Sequence, residues 1–261
     1  MPVMLSPHVH IPFQRIPEYL GLITERRLNL EIYFSAECLD ALSPADLADA
    51  QSALSYGPSL SFHAPFMDLC PAAVDSRIRE ASAARFRQIF DIAEIFRPKT
   101  IVVHSGYEKW KYSLRVSPWL EKSIDFWTPF IERAKSLDLA IAVENIFEDE
   151  PSTLRILMEH LGSAHFGICF DTGHFNLFST VPLETWLREL GNYIVELHLH
   201  DNDRSADQHL PIGEGMFDFR KLFGALQGRN CINTIENHSP ERVLLCLQRL
   251  AALTSKASPD S

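Results

Sequence analysis

Nine side chains in this sequence are of the types that hold divalent metals. Each closes a short apolar run or lies in the loop behind one. His63 stands in Phe62-His63-Ala64-Pro65-Phe66, His104 in Val103-His104-Ser105-Gly106 and Glu144 in Val143-Glu144-Asn145. Asp171 and His174 share Asp171-Thr172-Gly173-His174. His198 ends another run, Asp207 and His209 follow in the next loop, and Glu236 stands before Asn237-His238. Imidazole and carboxylate suit zinc, manganese or iron, and no thiolate belongs to the set. Four carboxylates brought together would repel one another, so some must stay protonated or divalent cations must offset them. Nine ligands are too many for one tetrahedral ion and suit two or three ions that share bridging carboxylates and waters. Taken one at a time, each residue has a plainer reading. A single histidine at a strand end can be a hydrogen-bonded core residue. Asp171 can cap a turn, and Glu144-Asn145 and Glu236-Asn237 can each cap a helix. These readings fail together, because at least five of eight runs end in His, Asp or Glu.

The runs themselves set the architecture. Strand-like segments are expected at Val3–His10, Asn29–Phe34, Ser59–His63, Thr100–His104, Ala140–Glu144, Phe166–Asp171, Ile194–His200 and Cys231–Glu236. Their near-continuous apolar character suits strands of a parallel sheet buried on both faces. Amphipathic helices are expected between them. Asp75–Phe96 is the clearest, with apolar or small residues recurring every three to four positions and a stop before Pro98. Ser43-Pro44-Ala45-Asp46 opens another, with Ser as cap and Pro in the first turn. Ser117–Ser136, Pro151–Leu161, Pro182–Leu190, Phe217–Leu226 and Ser239–Leu253 follow the same logic. Eight strand-then-helix units predict an α/β fold of the (β/α)8 TIM barrel type. A doubly wound open sheet competes, but it usually has fewer strands and a Gly-rich first turn, which is absent here. Residues 1–253 are expected to form a single barrel domain and 254–261 a polar C-terminal tail. In such a barrel all the strand ends open onto one face, where active sites are built.

Charge and composition narrow the partners. The chain has 24 Lys and Arg against 34 Asp and Glu, a formal net charge of −10, which argues against duplex DNA as a partner. No run of about 18 apolar residues predicts a membrane span. The N-terminal residues carry no signal-peptide pattern. Five scattered cysteines without CxxC spacing point to a reducing compartment, so a cytoplasmic enzyme is expected.

The segments CFDTGH (Cys169–His174), HLHDND (His198–Asp203) and DQHLPIGEG (Asp207–Gly215) are the strongest pieces of a family likeness. From about residue 3 to 250 it resembles the xylose isomerase-like TIM barrels. That superfamily joins sugar and sugar-phosphate isomerases and epimerases with endonuclease IV-type apurinic-site nucleases. In the isomerase branch, the resemblance implies one divalent ion on Glu144, Asp171, His198 and Glu236, with the two glutamates moving protons through an enediolate. In the nuclease branch it implies three zinc ions. The first would sit on His63, His104 and Glu144. The second would sit on Glu144 as a bridge, Asp171, His198 and Glu236, and the third on His174, Asp207 and His209. The sequence departs from the nuclease in its acidity. It also departs in the long aromatic and cationic segment Tyr107–Arg115, where Lys109, Trp110 and Lys111 are candidates to stack on a ring and meet a phosphate. Arg204 is a second phosphate candidate, and His200 a further substrate contact.

Four readings follow. The leading one is a metal-dependent hydrolase of a phosphoester or phosphodiester in a small non-DNA substrate, with Glu144, Glu236 and Asp171 as catalytic residues. The metal is zinc, up to three ions, with manganese as the other candidate. The resemblance extends this to nucleotide-like or corrinoid-like phosphodiesters, since relatives hydrolyse such bonds outside DNA. The second reading is a single-metal sugar or sugar-phosphate isomerase or epimerase. An apurinic-site nuclease and a non-catalytic metal-binding barrel come after these. Oligomeric state is not readable from the sequence.

Overall fold

A computed structural model describes residues 6–237 and 239–255. The chain starts with β1 (His8–Pro12), α1 (Ile16–Arg26), β2 (Asn29–Tyr33), α2 (Ala36–Ala41), α3 (Pro44–Ala53) and β3 (Leu60–His63). It continues through α4 (Ser76–Phe96), β4 (Thr100–His104), α5 (Ser117–Leu137), β5 (Ala140–Glu144) and α6 (Ser152–Leu161). It then runs through β6 (Phe166–Asp171), α7 (Thr172–Phe178), α8 (Leu183–Leu190), β7 (Ile194–Leu199), α9 (Phe219–Ala225), β8 (Ile232–Ile235) and α10 (Pro240–Ser255). The eight strands pair in sequence order, all parallel, and β8 closes on β1 through His8 opposite Thr234 and Val9 opposite Ile235. This is the (β/α)8 barrel. No helix among the described residues is long and apolar enough to cross a membrane.

The strands alternate more than the sequence suggested. Val9, Ile11, Leu30, Ile32, Phe62, Ile101, Val103 and Phe170 belong to the large apolar core that the helices cover. The intervening residues form the barrel interior, and many of them are polar: His8, Glu31, Ser61, Thr100, Glu196, His198 and Thr234 are all buried. Val102, Ala142 and Cys169 make a small separate apolar cluster. The interior polar groups satisfy each other. Glu196 accepts from Ser61, Thr100 and Thr234, and His8 pairs with Ser61 at 2.8 Å. Burying such groups without partners would cost several kcal/mol each, so this network is a condition of the closed barrel.

Several boundaries differ from expectation. The first strand begins at His8, and residues 1–5 lie outside the described part. Helices α1, α2 and α7 were not expected. α1 carries Pro17 in its first turn and is capped by no side chain. α7 starts where Asp171-Thr172-Gly173-His174 reads as a turn. Thr254 and Ser255, expected in the tail, belong to α10; residues 256–261 and His238 lie outside the described part. The cap at Ser43 is present as a full capping box with Asp46.

Phe86 on α4 packs edge-on against Phe126, Trp127 and Phe130 of α5, at centroid distances of 5.2–6.0 Å, and is 1% exposed. Phe86→Ala should therefore lower the unfolding free energy by about 3–5 kcal/mol in a denaturant titration. Ile78→Ala, on the exposed side of the same helix, should change it by less than about 0.5 kcal/mol.

Candidate metal centre

The strand register gathers the ligand-type residues at one end of the barrel. His63, His104, Glu144 and Asp171 are the last residues of β3, β4, β5 and β6, His198 is the penultimate residue of β7, and Glu236 follows β8. His104 lies opposite Glu144, and Asp171 opposite His198. Asp171 also caps α7, taking the His174 N–H at 2.6 Å. Asn145 fixes the Asp171 backbone in both directions, donating to its carbonyl at 3.1 Å and accepting from its N–H at 2.9 Å.

Asp207 and His209 come from the loop after β7, which is built on Asp201. The buried Asp201 carboxylate accepts N–H groups from Asn202, Gly213, Gly215 and Phe217 at 2.9–3.1 Å. Its backbone forms a two-way bridge with Leu210. A Cβ at Gly215 would lie 2.4 Å from Asp201 Oδ1, so that glycine is a packing requirement of this loop, while Gly213 serves a φ of +79°. Gly173 has a similar role: a Cβ there would lie 2.0 Å from the His200 ring.

The donor atoms fall into linked groups. In each group they lie within 4.8 Å of one another: His63, His104 and Glu144; Glu144, Asp171, His198 and Glu236; Asp171, His174 and His200; and His200, Asp207 and His209. Glu144 joins the first two. Its Oε2 is 3.2 Å from His63 Nε2 and 3.1 Å from His104 Nε2, while its Oε1 is 3.3 Å from His198 Nδ1 and 3.1 Å from His174 Nδ1. His198 Nδ1 is also 3.5 Å from Glu236 Oε2 and 3.7 Å from Asp171 Oδ2. Asp207 Oδ2 lies between His209 Nε2 at 3.1 Å and His174 Nε2 at 3.4 Å. Ligands on a tetrahedral ion with bonds near 2.0–2.1 Å are about 3.3 Å apart, close to these separations.

Two further observations test the fit of metal to these residues. Three buried polar atoms here have no hydrogen-bond partner: His174 Nδ1, His200 Nδ1 and Glu236 Oε2. Glu236 Oε2 lies 3.5–3.9 Å from nitrogens of His198, His200 and His209, near all and bonded to none. Second, three rings are held from behind. His63 Nδ1 meets the Ala64 carbonyl at 2.8 Å, His198 Nε2 meets Glu31 Oε2 at 3.0 Å, and His209 Nδ1 meets the Glu236 carbonyl at 3.3 Å. These acceptors require a proton on the rear nitrogen, which leaves the front lone pair of a neutral ring facing the carboxylates. Lone pairs and carboxylates facing one another call for a cation. The donor set fits divalent metal.

Without that cation, protons take its place. Burial raises the Glu144 carboxyl, but the charge of His198 and the close imidazoles of His104, His174 and His198 outweigh it and hold it well below the usual range. Burial lowers His198, yet Cys169, Glu31, Glu144 and Glu236 raise it well above an ordinary histidine. Burial dominates at His104 and lowers it. At His209 burial is outweighed by the hydrogen bond to Asp207 and the charge of Glu236, which bring it to about 9.

A cavity of about 610 Å³ opens above the donors, reaching His63, His104, Glu144, His174, Asp207, His209 and Glu236. Asp171 and His198 lie beneath it. Its remaining wall includes Phe66, Tyr107, Phe147, Phe178 and Lys111. The other substrate-contact expectations are placed elsewhere. Lys109 is paired with Asp149 at 2.5 Å, and Trp110 is 73% exposed; neither lines the cavity. Arg204 Nε donates to Asn176 at 3.1 Å beside a separate cavity with Phe175 and Lys221. His200 is fully buried, bonded to Asp171 Oδ2 at 2.9 Å and stacked on His209 at 4.0 Å. It does not line the cavity and belongs to two of the donor groups. Asn145, which fixes Asp171, and Asp201, which orders the β7 loop, were missed by sequence reasoning, as was the buried Glu31 against His198; the signal for Glu31 was a carboxylate in the middle of Asn29-Leu30-Glu31-Ile32-Tyr33.

Residues 30–250 match the family described as the xylose isomerase-like TIM barrel. The chain belongs to that family. The barrel is 31% identical to the protein MJ1311 of Methanocaldococcus jannaschii over 192 residues, which cover 70% of this chain and 65% of that protein. Among solved structures, it is similar to a D-tagatose 3-epimerase-like protein, with a TM-score of 0.83, 25% identity and coverage of 96% and 98% of the two chains. It is also similar to the TTHB071 protein of Thermus thermophilus, soaked with zinc chloride, with a TM-score of 0.79, 26% identity and coverage of 95% and 98%. Endonuclease IV of the same organism shares the fold, with a TM-score of 0.69, 18% identity and coverage of 95% and 98%. Xylose isomerase-like barrels with epimerase and nuclease neighbours are thus the setting of this centre, and an enzyme is the expected class.

Two outcomes follow from the geometry. Gly173→Ala should dislodge His200 from Asp171 and weaken metal retention at least tenfold in a chelator competition; retention equal to the parent protein would contradict the packing account. In the metal-free protein, His209 rises from 6.5 to about 9 on folding, so its contribution is complete below pH 6.5 and is lost as pH rises through 9. Glu236 falls from 4.5 to about 2, so its contribution is present above pH 4.5 and is lost as pH falls towards 2. The thermal midpoint should therefore drop between pH 6.5 and 9, with a shallower drop in His209→Ala. Equal slopes would refute the assignment.

Proposed function

We propose that this barrel is a divalent-metal-dependent hydrolase of a phosphoester or phosphodiester in a small, non-DNA substrate. Zinc is the metal, with up to three ions per chain. The observation that carries this reading is the division of Glu144 between two donor groups, with Asp207 and His209 forming a further one. A single ion needs only the group of Glu144, Asp171, His198 and Glu236, and leaves the other donors without purpose. His63, His104 and Glu144 would hold one ion, Glu144, Asp171, His198 and Glu236 a second, and His174, Asp207 and His209 a third, with His200 in donor range of the last two.

Bound divalent ions supply Lewis acidity and a water whose pKa falls to about 7, which suits phosphoester hydrolysis at neutral pH. The chain's own residues do the rest. Glu236 presents Oε2 without a hydrogen bond and can orient a water or take its proton. Asp171, locked by Asn145 and His200, holds its side of the centre rigid. Lys111 places a cation on the cavity wall, and Phe66, Tyr107, Phe147 and Phe178 offer apolar surface to a ring-bearing group. That wall suits a nucleotide-like or corrinoid-like phosphodiester better than an open-chain sugar. The zinc chloride soak of the protein at 26% identity supports zinc, and the net charge of −10 disfavours duplex DNA. Five cysteines, none in a disulfide, fit a reducing cytoplasm.

A single-metal sugar epimerase is the second reading, favoured by the likeness to the D-tagatose 3-epimerase-like protein. There Glu144 and Glu236 would exchange protons with a carbon acid. Contact of both Glu144 oxygens with imidazoles weighs against it.

Protein purified without chelator should contain close to three zinc ions per chain, falling by one in His209→Ala. It should hydrolyse bis(4-nitrophenyl) phosphate, lose that activity on chelation and regain it with zinc. One ion per chain, unchanged in His209→Ala and without phosphodiesterase activity, would overturn this reading in favour of the epimerase.

A further inference from the structure

We propose that Glu31 is the positioning residue of the metal centre, fixing the tautomer and the direction of His198. The inference rests on the reading that the centre holds metal, and it concerns a residue whose own donor atoms group with Glu196 and His198 in the barrel interior, behind the centre.

Glu31 lies in the middle of β2, is 0% exposed and faces the barrel interior. Its Oε2 is 3.0 Å from His198 Nε2, and its Oε1 is 2.8 Å from His10 Nδ1. An ionised carboxylate can only accept hydrogen bonds, so the His198 proton sits on Nε2. The lone pair of the neutral ring is then on Nδ1. That atom faces Glu144 Oε1 at 3.3 Å, Glu236 Oε2 at 3.5 Å and Asp171 Oδ2 at 3.7 Å. The opposite tautomer would point an N–H at the same three carboxylates and occupy the place of a cation. Glu31 thus selects the ring state that can bind one. The same carboxylate holds His10, whose Nδ1 lies 3.8 Å from Glu236 Oε1, beyond hydrogen-bond reach.

His63 and His209 are held in the same manner, but by backbone carbonyls. Of these three rings, only His198 is held by a side chain, so only there can a substitution remove the support. Glu196 supplies an internal control. It is equally buried in the barrel interior and lies near His198, but its hydrogen bonds come from Ser61, Thr100 and Thr234.

Zinc affinity can be measured by competition with a chromophoric chelator in the full chain and in Glu31→Gln, Glu31→Ala and Glu196→Gln. One class of bound zinc should weaken about tenfold in Glu31→Gln and about a hundredfold in Glu31→Ala. Glu196→Gln should stay within about threefold of the parent protein, even where its thermal midpoint falls. Unchanged affinity in both Glu31 variants, or an equal loss in Glu196→Gln, would overturn the role of Glu31. Nitrogen-15 spectra of the zinc-loaded parent chain test the same point without a variant. They should show His198 protonated on Nε2, and a proton on Nδ1 would overturn the proposal. A parent chain that binds no zinc would remove the metal-dependent reading itself, a result distinct from both.

Discussion

The centre depends on one buried anion. Glu144 is 1% exposed at the end of β5, and its two oxygens meet nitrogens of His63, His104, His174 and His198. A carboxylate cannot be taken out of water without compensation in kind, and in the metal-free chain the imidazoles supply it by taking up protons. Every ring that faces Glu144 must have its other nitrogen satisfied elsewhere or left open to the cavity. The Ala64 carbonyl, the Glu31 carboxylate and the polar barrel interior follow from that demand. A (β/α)8 barrel is suited to it, because parallel strands deliver adjacent ends to one face at spacings set by register.

The donors differ in the rigidity of their support. Those on β3 to β7 ride on ladder hydrogen bonds, with side chains fixed by their neighbours. Asp207 and His209 ride on a loop whose order comes from one carboxylate, Asp201, receiving four backbone N–H groups. The left-handed backbone at His209, φ 47°, is held by Asn237, which donates to its carbonyl at 2.7 Å. Precision on the loop is thus borrowed from residues that face away from the cavity.

Much of the barrel was legible because β4, β5 and β6 are apolar runs bounded by Pro, Gly or charged residues, and the observed limits of these three match the expected ones. α7 was not legible, because Asp171-Thr172-Gly173-His174 has the composition of a turn and becomes a helix only through the Asp171 cap and the packing of Gly173 on His200. The strand-end donors stood out by type and position. Glu31 did not, since a charged residue inside a five-residue strand looks solvent-facing until closure turns that face inward. Arg204, Trp110 and Lys109 belong to loops, where composition says nothing about the direction a side chain takes. Their placement came from Asn176, from solvent and from Asp149.

The closing pair of strands has a mechanical consequence. Among the described residues, β1 and β8 share two residue pairs, one of the two shortest ladders in the barrel, whereas β1 and β2 share five. This seam and the one between β3 and β4 are where the barrel can part at least cost in ladder hydrogen bonds. Glu236 follows β8 on one side of the β1–β8 seam, and His10 lies on β1 on the other. Breathing at the seam would swing a single donor outward while those on β3 to β7 stay fixed.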